Sequence, residues 1–431
     1  MIKKIGLSAL LFTLLQGTLM SATLKNIEQN NTNIPVIFEK HKTLPIFNLQ
    51  LVFKNSGYIN DTKLAGLTNI TAKILDEGTK TLGAVEFARK LENKAISIDT
   101  STGFETFVIE VSCLKDEYKT ALKYLNDILI DPNITDKTLQ KLKKLQISKL
   151  HQKENDFDYI ASVKLKSLIY PKTPLANPSS GTIESIEKIT IDDIKVNLSS
   201  ILNLNNLIIV TGGDIKYSDI KTAIKPILNK ITPKEVINIE KIKFSGKQET
   251  KIVKKETQQS YIYFASPFDI DVNSKDSYKA KVASFILGGS GFGSRLMEEI
   301  RVKNGLAYSA YGHISNKKSH SYFTGYLQTK LDNTEKAKNM VTSIVKEFIK
   351  DGVTQKELDA AKNFLLGSEP LRTETFSQRL NRAFSLYYKN LPFDYPKTEL
   401  EMINNLSLDD LNKFISSHKE IKKLTFSIVT K

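Results

Sequence analysis

Apolar positions along this chain recur at two spacings, and the same succession of spacings runs through the sequence twice. Segments 33–38 and 47–54 carry the short β-branched and aromatic runs of strands, around a turn at His41-Lys42-Thr43-Leu44-Pro45. Leu64, Leu67, Ile70, Ile74 and Leu75 fall on one helical face and predict a helix over 63–75, with Asp61 or Thr62 as its cap. A shorter helix over 85–91 precedes strands over 95–102 and 104–113. Helical periodicity returns over 117–130, 136–152, 159–169 and 183–201, before a buried strand over 207–211. Residues 226–247 bring lysines, Pro233 and Gly246 and little periodicity, although their first residues can finish a helix. The order then recurs: a strand over 261–265, a helix over 274–287, a short amphipathic segment over 294–301, and a strand pair over 307–314 and 322–327. Helices over 334–349, 354–367, 376–388 and 408–416 and a strand over 424–429 complete it.

The two halves superimpose at offsets of 212 to 216 residues, which set Ile74 on Ile286, Phe107 on Phe323 and Val111 on Leu327. Hairpin-linked strands mixed with runs of helices predict an α+β fold. It consists of two tandem homologous domains, each a mainly antiparallel sheet packed against helices. The expected division is a signal peptide over 1–22, an N-terminal domain over 23–230, a linker over 231–247 and a C-terminal domain over 248–431.

Composition narrows the class. At 431 residues, 40% hydrophobic and 25% charged, the chain suits two ordinary soluble domains. A net charge of +15 raises nucleic acid as a partner, but the lysines are spread over the whole length and no patch interleaves them with aromatics. Nucleic-acid binding is therefore not expected. Lys3 and Lys4, the apolar run 5–20 and the small residues Ser21 and Ala22 form a secretory signal with a cleavage site that Met20 makes imperfect. An uncleaved anchor is the competing reading, with Gln16 and Gly17 interrupting a run already short for a span. The mature chain is expected in a bacterial periplasm, without membrane contact once the signal is removed. Cys113 is the only cysteine, so the fold rests on packed core rather than on an intrachain disulfide.

Candidate chemistry concentrates in 286–311, ILGGSGFGSRLMEEIRVKNGLAYSAY. Gly288, Gly289, Gly291 and Gly293 open into the 294–301 segment, and a Lys303-Asn304-Gly305 break leads to the strand. This places Arg301, at a helix end, near Tyr308, on a strand. A planar cation and a phenol so arranged can hold a carbonyl or carboxylate of a bound chain. On spacing alone the plainer reading, in which Arg301 caps the helix end and Tyr308 packs, stands beside it. The glycines lack the Lys-Ser/Thr ending of a phosphate loop and the spacing of a G-x-S-x-G elbow. Of the five histidines, His313 and His320 flank a predicted hairpin turn, lack a third ligand, and read as surface residues.

Two stretches carry a resemblance. Gly293-Ser294-Arg295-Leu296-Met297-Glu298-Glu299-Ile300-Arg301, followed by Gly305-Leu306-Ala307-Tyr308-Ser309, resembles the second-half signature of the pitrilysin, insulin-degrading enzyme and mitochondrial processing peptidase family of zinc peptidases. The likeness covers nearly the whole mature chain and is nearest the bacterial, processing-peptidase-like branch. In that family the signature ends in an Arg and a Tyr that contact substrate backbone, and Arg301 and Tyr308 match them. Residues 66–79 sit where the family writes G-L-A-H-x-x-E-H-x-x-x-x-G-T, with Gly66-Leu67 and Gly78-Thr79 intact. The inverzincin chemistry is missing: Asn69 and Lys73 replace the two zinc ligands, Ala72 replaces the base, and the third-ligand position falls near Lys149.

The resemblance implies no metal and no cofactor in this chain, and a zinc held instead by a homologous peptidase subunit that supplies the motif missing here. It implies a non-catalytic, substrate-binding subunit of a heterodimeric periplasmic zinc peptidase acting on peptide or unfolded polypeptide. The alternative is an inactive peptide-binding or scaffold protein, homodimeric or chaperone-like.

Overall fold

The computed structural model describes residues 22–236 and 238–431, so the expected signal segment lies outside the described residues except for Ala22. Strands β1 (Thr23–Gln29), β2 (Thr32–Lys40), β3 (Ile46–Lys54), β4 (Ser97–Thr102), β5 (Thr106–Leu114) and β6 (Leu207–Gly213) form one sheet in the order β1-β2-β6-β3-β5-β4. Strands β7 (Thr250–Lys254), β8 (Gln259–Pro267), β9 (Ala307–Asn316), β10 (Ser321–Lys330) and β11 (Thr425–Thr430) form a second in the order β7-β11-β8-β10-β9. Set β1 aside and the two orders are the same. They agree down to the one parallel pair in each, β2 with β6 and β7 with β11. Register agrees too: Val111 lies opposite Leu49, and its counterpart Leu327 opposite Ile262. The fold is the α+β duplication that the repeat predicts.

In the first half the helices are α1 (Leu67–Leu75), α2 (Gly83–Glu92), α3 (Tyr118–Ile130), α4 (Asp136–Gln152), α5 (Phe157–Ile169), α6 (Ile183–Lys188), α7 (Ile191–Ile201), α8 (Tyr217–Ala223) and α9 (Lys225–Leu228). The second half has α10 (Ser277–Ser284), α11 (Arg295–Met297), α12 (Thr334–Asp351), α13 (Gln355–Gly367), α14 (Phe376–Tyr388), α15 (Tyr395–Asn405) and α16 (Leu408–Ser417). Among these no helix is long and apolar enough to cross a membrane.

Two predicted helices are corrected. The one expected over 63–75 begins only at Leu67, because Gly66 takes a left-handed φ of 88° where an added Cβ would lie 2.9 Å from Gly181. Asp61 still caps it from outside the helix, accepting from the Gly66 and Thr68 amides. The helix expected over 183–201 breaks at Ile189, whose extended backbone lets Thr190 start α7 with a capping box to Asp193.

The halves are joined by exchange. Helix α5 of the first half lies on β8 and β11 of the second sheet, while α14 of the second half lies on β2 and β6 of the first. Phe376, Leu380 and Ala383 of α14 pack on Ile37, Val52, Ile208 and Val210. Arg379 reaches the buried Glu39 at 2.7 Å, and His41 stacks on Phe376. In the opposite direction Asp158 of α5 accepts from Tyr263 at 3.2 Å and Gln328 at 2.8 Å. Each sheet thus depends on the other half for part of its cover.

Candidate functional site

Helix α1 is held on two sides, which fixes what its remaining face can offer. Ala72 and Leu75 join the core over the first sheet, while Ile70 and Ile74 pack with Leu139, Leu142 and Ile186 of α4 and α6. Asn69 and Lys73 stand one turn apart beside α4. The Lys73 ammonium donates to the Gln146 side-chain carbonyl, and the Gln146 amide donates to the Ser180 carbonyl at 2.9 Å. Burial holds the Lys73 ammonium below its ordinary range, and the charge of exposed Lys149 adds to the effect. Asn69 leaves its buried side-chain carbonyl oxygen without a partner.

A divalent cation does not fit here. The cluster offers amides and ammonium groups where deprotonated His or carboxylate ligands are needed, and Ala72 has no group to take a proton. Among the described residues no three His, Cys, Asp or Glu side chains converge on a metal-sized point. The neighbouring sheet edge is also occupied: the Thr100 amide of edge strand β4 donates to Asp76, which follows α1, at 2.8 Å. That amide is not free to pair with an incoming strand.

The second-half stretch is built differently from its prediction. Helix α10 widens into a π turn, Phe285–Gly289, and the 294–301 segment is α-helical only over α11 before a second π turn, Glu298–Lys303. Gly288 sits directly against β9, where a Cβ would lie 2.6 Å from the Gly312 amide nitrogen. Gly289 is the last residue of the first π turn. Gly291 and Gly293 are left-handed, at φ 66° and 91°, and the turn between them leaves Phe292 68% exposed. The glycine run is thus a turning and close-packing device. Buried Ser294 caps α11. After the second π turn, bonds from Gly305 to Arg301 and from Leu306 to Ile300, each 2.9 Å, lead into β9.

This path brings Arg301 and Tyr308 together. The Arg301 guanidinium carbon lies 4.5 Å from the Tyr308 ring centre and 4.7 Å from that of Phe292, so the cation is sandwiched between two exposed rings. Within the described residues the Arg301 guanidinium has no hydrogen-bond or ion-pair partner, and neither does the Tyr308 hydroxyl. Arg295, two turns earlier, shows the contrast: it grips Glu357 through two nitrogens at 2.6 and 2.8 Å and donates to the Gly352 carbonyl. Arg295 is structural, whereas Arg301 presents an oriented, uncommitted donor edge. Among the described residues no hydrogen bond, ion pair or ring contact joins the Arg301 cluster to the α1 cluster.

Phe292 is the member of the Arg301 cluster that sequence reasoning missed. Its signal was an aromatic isolated between two glycines, a poor place for a core residue. Gln146 was missed as well: it, not Lys149, directly meets Lys73. His320 is corrected from surface to buried, at 7% exposure, because the tight 317–320 turn inserts into the seam between the halves. There Ser319 donates to Glu105 through its amide at 2.8 Å, and His320 packs edge-on against Phe104 and Tyr170.

Comparison with known proteins gives the family. Residues 36–183 match the model of Insulinase (Peptidase family M16), and residues 188–365 match Peptidase M16 inactive domain. The chain belongs to the M16 peptidase family. It is 43% identical over 423 residues to the non-peptidase homolog YmxG of Helicobacter pylori, covering 97% of this chain and 98% of that one. It is 22% identical over 402 residues to an uncharacterized zinc protease of Rickettsia felis, covering 91% and 95%. Among solved structures, a peptidase M16 inactive domain from Pseudomonas fluorescens superimposes with a TM-score of 0.85 at 24% identity, covering 95% of this chain and 98% of that one. That likeness establishes the shared fold.

Proposed function

We propose that this M16 chain is the non-catalytic, substrate-binding subunit of a heterodimeric periplasmic zinc peptidase. Its contribution is the Arg301–Tyr308 pair, and a homologous partner with an intact H-x-x-E-H motif holds the metal. The observation that carries the reading is the sandwich of Arg301 between the exposed rings of Phe292 and Tyr308, a half-buried, pre-oriented donor with no acceptor of its own among the described residues. Such a group binds a peptide carbonyl and steadies negative charge that develops on it. The α1 cluster supports the same division of labour, because Lys73 and Gln146 fill the place where a zinc peptidase needs ligands. The capped Thr100 edge leaves strand addition of an extended substrate to the partner's sheet. The 43% identical relative is itself named a non-peptidase homolog.

The test is reconstitution. The purified chain alone is expected to cleave no peptide, and mixing it with its metal-binding homologue is expected to give an activity neither has by itself. A mixture no more active than the homologue alone would sink the proposal.

A further inference from the structure

A cavity of about 360 Å³ opens at the seam between the halves, and neither Arg301 nor Asn69, Lys73 or Gln146 lines it. Its walls come from both halves: Lys166 and Tyr170 at the end of α5, Glu105 in the β4–β5 turn, Lys317 and Lys318 in the β9–β10 turn, and Lys389 after α14. Four ammonium groups therefore face one carboxylate. That carboxylate, Glu105, is already engaged, accepting from the Ser319 amide and hydroxyl. Lys318 has its ammonium 4.3 Å from the Tyr388 ring centre. Lys166, Lys317 and Lys389 have no carboxylate within ion-pair distance among the described residues.

Lysine is plentiful in this chain, and an exposed lysine needs no partner. Lys166 and Lys389 differ because the seam withdraws them from water, while Lys317 stays exposed at its mouth. Burial lowers both Lys166 and Lys389 from the ordinary lysine value, and Lys317 lowers Lys389 further. His320, on the same wall, is held neutral by burial and offers no compensating charge of either sign. Glu399 and Glu105 act on Lys389 only from beyond ion-pair distance, and two half-buried ammonium groups beside an exposed third are costly, so this arrangement is poised for an anion. A second observation points the same way. Tyr170 lines the cavity, is 1% exposed, and has a buried hydroxyl with no partner. The remaining wall is aromatic, with Phe104, Tyr322 and Phe384, so the ligand must carry an apolar body.

We propose that the seam cavity binds a small organic anion, one carboxylate or phosphate group held among Lys166, Lys317 and Lys389, with an aromatic or aliphatic body against Phe104, Tyr322 and Phe384. Because the lysines come from both halves, an occupied site ties the halves together. The inference stands independently of the Arg301 reading.

The experiment is calorimetric titration of the full mature chain with phenyl phosphate, benzoate, inorganic phosphate and neutral benzyl alcohol, with melting temperature as a second readout. Phenyl phosphate or benzoate is expected to bind saturably, to raise the melting temperature with concentration, and to weaken as salt rises. Which of the two binds more tightly separates a phosphate from a carboxylate ligand. The double variant Lys166→Gln/Lys389→Gln is expected to lose about tenfold or more in affinity, as for lost charged hydrogen bonds. Lys221→Gln, an exposed lysine elsewhere, should lose none. Three results would each overturn the proposal: no saturable binding by either organic anion, equal binding of benzyl alcohol, or a double variant that binds within about twofold of the parent. Inorganic phosphate binding as tightly as phenyl phosphate would overturn the apolar-body assignment. Circular dichroism of the double variant, unchanged, establishes that any loss is at the site.

Discussion

Arg301 stacks 4.5 Å over the ring of Tyr308, and Tyr308 is 82% exposed. A largely solvated tyrosine does not need an arginine to stay folded, and among the described residues this arginine has no acceptor. The relationship therefore reads as a pair shaped for something outside the chain. Phe292 closes the other side of the guanidinium, and removing it should loosen the cation without deleting it. Phe292→Ala is expected to weaken peptide binding about twofold to fivefold, the value of one exposed cation–π contact, with no loss of thermal stability. Fluorescence anisotropy of a labelled peptide checks the first part and calorimetry the second.

The exchange of α14 onto the first sheet makes Glu39 a hostage to Arg379. Glu39 is 3% exposed, and its carboxylate meets Arg379 at 2.7 Å. Arg379→Ala leaves that buried carboxylate without its cation and is expected to cost roughly 3–5 kcal/mol in urea unfolding. The double variant Glu39→Leu/Arg379→Met, which leaves no orphan charge, should recover most of it. A single variant as stable as the parent would mean that the ion pair does not fasten the halves.

His320 gives the seam a pH dependence of known sign. Burial lowers its value from 6.5 to about 4, so between those limits the unfolded chain binds a proton that the folded chain refuses. Its contribution to stability is complete above about 6.5 and declines as pH falls toward 4. Asp61 slopes the other way, since burial raises it from 3.8 to about 6 and its contribution declines as pH rises through that range. His320→Phe keeps the edge-on aromatic contacts and removes the first slope, together with a pH-independent bond to the Ser319 hydroxyl. The variant should therefore lose less stability than the parent between pH 7 and pH 4.5, measured as urea midpoints at each pH.

How much of this was readable beforehand depends on how much each element buries. Helices α4 and α14 were found with their true ends, because Leu139, Leu142 and Leu150 mark the buried face of one, Phe376, Leu380 and Ala383 that of the other, and Thr135 and Thr375 cap their starts. Strands β1 and β7 were not: β1 buries only Ile27 and β7 buries nothing, so neither carries a period. Helix α15 buries only Ile403 and was missed for the same reason. The 294–301 segment has helical spacing on paper, yet i+5 bonding in a π turn leaves no separate mark in a three-and-four pattern. The exchange of α5 and α14 was illegible because an apolar face does not say which sheet it covers. At the site, residue identity sufficed for the missing zinc ligands. That Arg301 lacks a partner required the fold, since Arg295 in the same run looks equally free in sequence.

The α1 cluster predicts how hard the metal site is to restore. Lys73→His alone should bind no zinc, because Asn69, Ala72 and the charge of Lys149 remain. Asn69→His/Ala72→Glu/Lys73→His/Gln146→Glu/Lys149→Gln supplies two imidazoles and two carboxylates, removes the Lys149 charge, and is expected to take up about one zinc per chain, read by metal analysis after dialysis. Zinc in the unaltered protein at that level would refute the account of the first half.

The central claim is that Arg301 and Tyr308 act on a substrate cleaved at a partner's metal. The most direct measurement is kcat/KM for peptide cleavage by the reconstituted pair, with this chain carrying either Arg301→Ala or Tyr308→Phe. The account predicts a loss of about 10²-fold for Arg301→Ala and about tenfold for Tyr308→Phe, with the two chains still co-eluting. Unchanged kcat/KM in both variants, with the complex intact, would contradict it.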